Sequence, residues 1–114
     1  MTNPEVAAIL ERIGDLLEIK GESRFKVLAY RRAAESVRTL GRDLSAVHRE
    51  GGLDGIPGFG AAIASKVAEL LDTGSLGYYT KLAEEIPASL ADLLKVPDMG
   101  PKKVKLLWEA RGVV

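Results

Sequence analysis

Two copies of one short turn, each containing proline and glycine, constrain this sequence more than any other feature. The first copy, residues 56–60, is Ile-Pro-Gly-Phe-Gly, and the second, residues 96–100, is Val-Pro-Asp-Met-Gly. Each copy is followed directly by apolar residues at helical spacing, such as Ile63 and Val67 after the first turn. Because a unit that recurs within one chain is typical of modular proteins, the repeat predicts a modular helical architecture.

The remaining sequence also predicts short helices that end at glycine or proline. Asn3, as N-cap, and Pro4 indicate the start of a first helix, and an apolar stripe at three- and four-residue spacing continues to Leu17. Ser23 and Asp43 are predicted N-caps of a second and a third helix. No segment alternates between apolar and polar residues for more than a few positions, as a half-buried strand would. We therefore predict an all-α fold.

The best internal boundary is the junction near Pro87, which follows a further helix predicted within residues 75–86. Residues 1–86 are predicted to form one helical unit that contains the first hairpin at about 53–73, and residues 87–114 contain the second hairpin. Neither half has much apolar core of its own, so we expect the two to share one.

Composition excludes several classes of function. The 114 residues include no cysteine and only one histidine, His48, so disulfides, thiolate zinc sites, cysteine nucleophiles and histidine clusters are excluded. No apolar run approaches the roughly 20 residues of a membrane span, and the N-terminus lacks a signal-peptide pattern. We expect a cytoplasmic, nucleoid-associated protein with no membrane partner. The 16 basic and 16 acidic residues give zero net charge, which disfavours general polyanion binding but is compatible with a local basic face.

The residue types of the repeated turn indicate a binding function. Glycine permits positive φ and leaves no side chain between the backbone and an approaching group. The turn leads directly into a helix N-terminus, whose unpaired amides and dipole favour a bound phosphate. Phe59 and Met99 stand where an apolar side chain would anchor the turn to the core. The alternative is a tight helix–helix connection that binds nothing, and the presence of two matching copies favours the phosphate site.

This pattern resembles the helix-hairpin-helix motif, which binds the DNA backbone without reading sequence. The resemblance implies a small all-α domain with two such motifs and the following DNA-contacting residues near the hairpins: Gly58, Phe59, Gly60, Met99, Gly100, Lys102, Lys103 and Lys105. It also implies that backbone carbonyls hold Na⁺ or K⁺ at Asp54, Ile56 and Phe59, and at Leu94, Val96 and Met99. No other cofactor is expected. In the second copy Asp98 replaces the first glycine of the motif, and a carboxylate is unfavourable beside a phosphate.

A narrower resemblance covers the chain from about Asn3 to Gly112. Residues 15–22, the Phe25-Lys26 pair and residues 29–34, followed by two hairpins, are similar to the N-terminus of a family X DNA polymerase. The bacterial and archaeal branch with a C-terminal phosphoesterase domain is the most similar type. The resemblance implies the fold of the polymerase beta N-terminal domain, followed by the start of a fingers region. Nothing resembles the palm or the phosphoesterase, so we expect a fragment or a stand-alone relative without polymerase or nuclease activity.

The resemblance also implies candidate chemistry. In lyase-proficient members a lysine that matches Lys66 forms a Schiff base with a 5′-deoxyribose phosphate, and β-elimination follows. Tyr30 and Lys26 match positions that orient this nucleophile and hold the 5′-phosphate. The chain departs from the family pattern at two basic positions and at a histidine position, where it has Ala62, Tyr78 and Phe25. These departures leave fewer cations for a 5′-phosphate.

The sequence therefore predicts a module that binds gapped or nicked duplex DNA, including its 5′-phosphate, in DNA repair. Base excision repair is the expected setting, and C-terminal polymerase and phosphoesterase domains are expected partners. Two alternatives remain at this point: a 5′-deoxyribose phosphate lyase that uses Lys66, and a protein-interaction module with structural hairpins. The arginines near the second helix, Arg31, Arg32, Arg38 and Arg42, form either an ordinary solvated face or a DNA-facing one.

Overall fold

The computed structural model describes residues 1–85, and the helices predicted within these residues are present. Five α-helices form within these residues: α1 (Asn3–Lys20), α2 (Arg24–Thr39), α3 (Leu44–Arg49), α4 (Ala61–Thr73) and α5 (Gly77–Glu84). A single 3-10 turn, Leu53–Gly55, lies between α3 and α4. No strand occurs in this part of the chain, which confirms the all-α prediction.

The start of α1 differs from the prediction by one residue. Thr2, not Asn3, is the N-cap: its hydroxyl accepts the Glu5 N–H, and the Glu5 carboxylate accepts the Thr2 N–H, which completes a capping box. The Asn3 side chain instead accepts the Leu44 N–H at 2.9 Å and donates to the Arg42 carbonyl at 2.7 Å. The prediction was wrong because it overlooked the i, i+3 spacing of Thr2 and Glu5, which is typical of a capping box. Asn3 has partners about forty residues away instead. Asn3 thus ties the start of α1 to the start of α3.

The core lies mainly between α1 and α2. The predicted stripe of α1 is buried along its length, except that Ile9 is half-buried. Val27, Ala34 and Val37 cover it from α2, each at most 4% exposed. The predicted N-cap Ser23 is confirmed, since its hydroxyl accepts the Lys26 N–H. Replacement of a buried leucine by alanine typically costs about 2–5 kcal/mol of stability, so the buried leucines of α1 make its packing on α2 a main source of stability.

Short helices and tight turns carry the chain from α2 to the hairpin. Asp43 caps α3 as predicted, with its carboxylate accepting the Ser45 N–H at 3.0 Å. After α3 the backbone turns through Gly51, at φ +74°, into the 3-10 turn. His48 of α3 reaches Asp72 of α4, with 3.0 Å between Nε2 and Oδ1. These contacts fix α4 relative to α3.

The end of the described chain packs back on α1. Glu69 of α4 accepts the Gly77 N–H at 2.9 Å, which supplies a partner for the uncapped start of α5. Leu82 of α5 is buried, and Lys20 at the end of α1 forms a 2.6 Å ion pair with Glu85. The hairpin at 53–73 therefore belongs to one helical unit with α1 and α2 over the described residues. The predicted boundary at Pro87 lies outside them and stays a prediction.

None of the helices described in residues 1–85 has the length and apolar character that crossing a membrane requires.

Candidate nucleic-acid interface

The turn of the first hairpin, residues 56–60, connects the 3-10 turn to α4. Ile56 and Phe59 are each 6% exposed, so the side chains on both sides of the turn are anchored in the core. Gly58 between them has φ +84°, a left-handed conformation in which a side chain costs about 1–2 kcal/mol. The Phe59 N–H closes the turn on the Ile56 carbonyl at 3.0 Å. The hairpin is thus rigidly placed by its own apolar residues.

Helix α2 holds the outer side of this turn. The Ser36 hydroxyl donates to the Pro57 carbonyl at 2.6 Å. A Cβ atom built on Gly58 would lie 3.5 Å from Oγ of Ser36 and 3.7 Å from Cβ of Arg32. The turn therefore rests on α2 at one polar contact and one close backbone approach. The sequence analysis named Arg32 only as one of four arginines on a solvated or DNA-facing surface, and it did not name Ser36, although the two share one face of a helix by their i, i+4 spacing.

The start of α4 presents free backbone donors. Gly60 is its N-cap, with ordinary extended geometry at φ −84° and no side-chain capping hydrogen bond. Gly60, Ala61 and Ala62 are all exposed, so only hydrogen atoms and methyl groups lie near the first-turn amides. Unpaired amides at the positive end of the dipole are suited to an anion. The start of α4 is therefore suited to hold one phosphate group against its backbone amides.

The structure brings Lys66 and Tyr30 together through Tyr78. The Lys66 ammonium lies 4.7 Å from the centroid of the Tyr78 ring, a cation–π contact. The Tyr78 ring stacks on Tyr30 with centroids 6.2 Å apart and planes 9° from parallel. Burial, together with the neighbouring Tyr78 hydroxyl, raises the pKa of Tyr30 well above its ordinary value. Tyr30 is thus a neutral, mostly buried phenol. The sequence analysis did not predict that Tyr78 would connect Tyr30 with Lys66.

Lys26 lies apart from this cluster in its contacts. Its exposed ammonium pairs with Glu22 at 3.5 Å, one turn earlier in the chain. Within residues 1–85 no hydrogen bond or ion pair connects Lys26 with Lys66 or Tyr30. The three predicted lyase residues are therefore not gathered into one hydrogen-bonded site.

Most of the arginines near α2 pair with carboxylates. Arg31 reaches Asp15 at 3.0 Å and Glu18 at 3.1 Å, and it is half-buried. Arg38 pairs with Glu11, and Arg42 pairs with Glu50. Arg32 alone of the four has no carboxylate partner among the described residues, and it is the one beside the hairpin. This favours an ordinary, ion-paired surface for the other three.

Asp15, one of the two partners of Arg31, has a shifted pKa. Its burial raises the pKa of the carboxyl group, and the Arg31 guanidinium opposes that shift without cancelling it.

The hairpin carbonyls that the sequence predicts to hold a monovalent cation differ in their hydrogen bonding. The carbonyl of Ile56 accepts the Phe59 N–H, whereas those of Asp54 and Phe59 accept no hydrogen bond within residues 1–85. Two free carbonyls and one shared carbonyl are hard oxygen donors of the kind that alkali cations prefer. Within residues 1–85, no cluster of acidic, histidine or cysteine side chains is suited to a metal ion.

The second hairpin lies outside the described residues. Its predicted carbonyl ligands Leu94, Val96 and Met99, and its predicted DNA contacts Gly100, Lys102, Lys103 and Lys105, therefore remain predictions from the sequence.

These features together define a small helical domain built on a hairpin that exposes a helix N-terminus. Comparison with known families agrees: the model of a helix-hairpin-helix domain family matches residues 1–76, and this chain belongs to that family. The chain is also 34% identical over 113 residues to the DNA polymerase/3'-5' exonuclease PolX of Bacillus subtilis. That match covers 99% of this chain and 19% of the relative, so the chain spans about a fifth of that protein. The predicted resemblance to the N-terminal region of a family X polymerase is confirmed.

Proposed function

We propose that this chain binds the sugar-phosphate backbone of duplex DNA without sequence preference, at gaps or nicks during repair. The observation that carries the proposal is the exposed, uncapped start of α4, held rigidly on α2 by the Ser36–Pro57 hydrogen bond. Such amides bind phosphate but read no base. Membership of the helix-hairpin-helix family and the similarity to a DNA polymerase/3'-5' exonuclease support the same function.

The proposal assigns a strand to each hairpin. The first hairpin holds the downstream strand near its 5′-phosphate, and the second holds the upstream strand. Na⁺ or K⁺ at the carbonyls of Asp54, Ile56 and Phe59 would add positive charge beside the bound phosphate. The domains that act on this DNA, a polymerase and a phosphoesterase, would belong to a longer protein in the cytoplasm, at the nucleoid.

Fluorescence anisotropy tests this function directly. The labelled probes are an intact duplex and a one-nucleotide gapped duplex with and without its 5′-phosphate, each measured at two salt concentrations. We expect salt-sensitive binding that is tightest for the phosphorylated gap, with a shallow salt slope of about 0.9 per neutralised phosphate. In a ¹⁵N titration the amides of Gly58 and Gly60 should shift first. No binding at low salt would reject the proposal in favour of structural hairpins in a protein-interaction module.

The Lys66–Tyr78–Tyr30 contact supports a second candidate function, 5′-deoxyribose phosphate lyase. The neutral Lys66 amine would attack C1′ of the open sugar, and loss of water would give a Schiff base. Removal of a C2′ proton would then break the C3′–O3′ bond and release the DNA strand with its 5′-phosphate, and water would hydrolyse the Schiff base to free the sugar phosphate and the lysine. In the structure the Lys66 side chain packs on the Tyr78 ring, and Lys26 pairs with Glu22 apart from this cluster, so the residues predicted for the lyase reaction are not assembled into one site. We therefore expect weak activity. Borohydride should trap a covalent protein–DNA adduct that Lys66→Ala abolishes, and trapping that survives Lys66→Ala would exclude this residue as the nucleophile.

A further inference from the structure

Asp54, in the 3-10 turn that leads into the hairpin, differs from the other aspartates of the described residues. Its side chain is exposed, and its carboxylate has no hydrogen bond or ion pair within residues 1–85. The other three described aspartates are each held at 3.0 Å by a partner: Asp15 by Arg31, Asp43 by the Ser45 N–H and Asp72 by His48. The Asp54 carboxyl group is therefore free to turn toward its own backbone.

The next residue, Gly55, leaves the neighbouring backbone nitrogen open. Glycine has no side chain to shield that nitrogen. A Cβ atom built on Gly55 would meet no atom within 4 Å, so no packed neighbour covers this position either. Asp54-Gly55 is the single aspartate–glycine pair in the sequence of 114 residues. The fold thus exposes the one place where a carboxyl group can reach an unshielded backbone nitrogen of the following residue.

One hydrogen bond restrains this nitrogen. The Gly55 N–H donates to the Gly52 carbonyl at 3.1 Å, and this bond must open before the nitrogen can react. The bond belongs to a 3-10 turn of three residues, and its N-cap, Gly52, supplies no side-chain hydrogen bond. Because 3-10 turns have poorer hydrogen-bond geometry than α-helices, and exposed backbone hydrogen bonds open at low free energy, the turn can open locally.

We infer that Asp54-Gly55 is a site of spontaneous isoaspartate formation. The Gly55 nitrogen forms a bond to Cγ of Asp54, and the amide hydrogen leaves with a carboxyl hydroxyl as water, which gives a five-membered succinimide. Water then adds to the main-chain carbonyl carbon of Asp54 and breaks its bond to the nitrogen, which regains a hydrogen. The chain now runs through Cγ, and the former main-chain carbonyl is a carboxylate. One water leaves and one returns, so no other reactant is needed and the net charge is unchanged.

The modification would change the path of the hairpin, because the turn is anchored on both sides of Asp54. Leu53 and Ile56 are 5% and 6% exposed, and the isoaspartyl linkage adds one backbone carbon between them. The Asp54 carbonyl, a predicted ligand of a monovalent cation, would be lost as well. These changes fall directly before Pro57 and Gly58 whatever the hairpin binds, so the inference does not depend on the proposed function.

The test stores the full-length chain at physiological temperature and neutral pH. Isoaspartyl groups are labelled with an isoaspartyl methyltransferase and a radioactive methyl donor, and peptide mapping with the endoprotease Asp-N, which does not cleave before isoaspartate, locates them. Label should accumulate at residue 54, and Asp54→Glu should lose it. Gly55→Ala fits the open space and should slow labelling several-fold, because its methyl group hinders the nitrogen. Gly41→Ala, the same change at an equally open glycine that follows leucine, should label like wild type.

A peptide of residues 51–58 in the same buffer gives the rate without the fold. If the peptide is labelled and the chain gains no label at residue 54, the folded turn protects Asp54 and the inference is wrong. Label spread evenly over the aspartates, or accumulating equally fast in Gly55→Ala, would also overturn it. Labelling uses no DNA, so a failure of the proposed DNA binding would leave this result standing.

Discussion

The substitution Gly60→Asp separates phosphate binding at α4 from the stability of the fold. Gly60 is the N-cap at φ −84°, and a Cβ atom built on it meets no atom within 4 Å, so aspartate fits without strain. Aspartate is a preferred N-cap, and its carboxylate accepts the amides of the first turn, where the glycine leaves them free. Stability should rise by a few tenths of a kcal/mol to about 1 kcal/mol.

The same carboxylate should weaken DNA binding in two ways. It occupies the amides that would hold the phosphate, and it places a like charge about 5 Å from the phosphate group. Two unit charges at that distance repel by about 0.8 kcal/mol at a dielectric of 80 and about 3 kcal/mol at 20. Affinity should therefore fall about 4- to 150-fold. The slope of log affinity against log salt should become shallower by about 0.9, because one phosphate contact is lost.

Two variants make the measurement specific. Gly60→Asn has the same shape and caps the helix without charge, so its affinity should lie between wild type and Gly60→Asp. Gly41→Asp adds the same charge in the loop after α2, where a Cβ atom also meets nothing within 4 Å, and should change affinity little. Anisotropy with the phosphorylated gapped duplex and thermal melts measure both effects. A Gly60→Asp protein that melts higher yet binds DNA like wild type would refute phosphate binding at these amides.

Three further predictions concern the hairpin and the first helix. Gly58→Ala should lower stability by about 1–2 kcal/mol in a denaturant melt because of its φ of +84°, while Gly41→Ala, without that geometry, should change it little. Ser36→Ala should cost about 1 kcal/mol and weaken binding to gapped DNA, since the turn loses its polar contact with α2; unchanged values for both would show that the contact is dispensable. The Thr2 backbone N–H lowers the pKa of Glu5, so this carboxylate stabilises the fold above about pH 4.5, and the benefit is lost as the pH falls through the lowered folded-state pKa. Glu5→Gln should flatten the melting temperature between about pH 5 and 3, and an unaltered profile would contradict this origin.

The site was only partly visible in the sequence. The hairpin, its glycines and its buried Phe59 followed from spacing, and Lys66 was correctly placed on the helix after it. The stack of Tyr30 on Tyr78 could not be predicted, because these residues are almost fifty positions apart and meet only once α5 has folded back. Residues that interact through packing leave no local signature in the sequence.

Within residues 1–85, local sequence patterns were enough to predict the helices, most of their ends and the hairpin turn. Those features depend on hydrogen bonds and torsions within about four residues, so a glycine, serine or aspartate at the right position specifies them. The capping box of Thr2 with Glu5 also depends only on local spacing, although the sequence analysis predicted Asn3 as the N-cap.

Which polar groups remain free for a ligand depends on how the helices pack together. The packing of α2 against α1 pairs Arg31 with Asp15 and Glu18, but leaves Arg32 beside the turn without a carboxylate among the described residues. The same packing buries Tyr30 and leaves Phe25, five residues earlier, in water. The physical reason is that burial and ion pairing depend on which surfaces meet, and residues far apart in the sequence supply those surfaces.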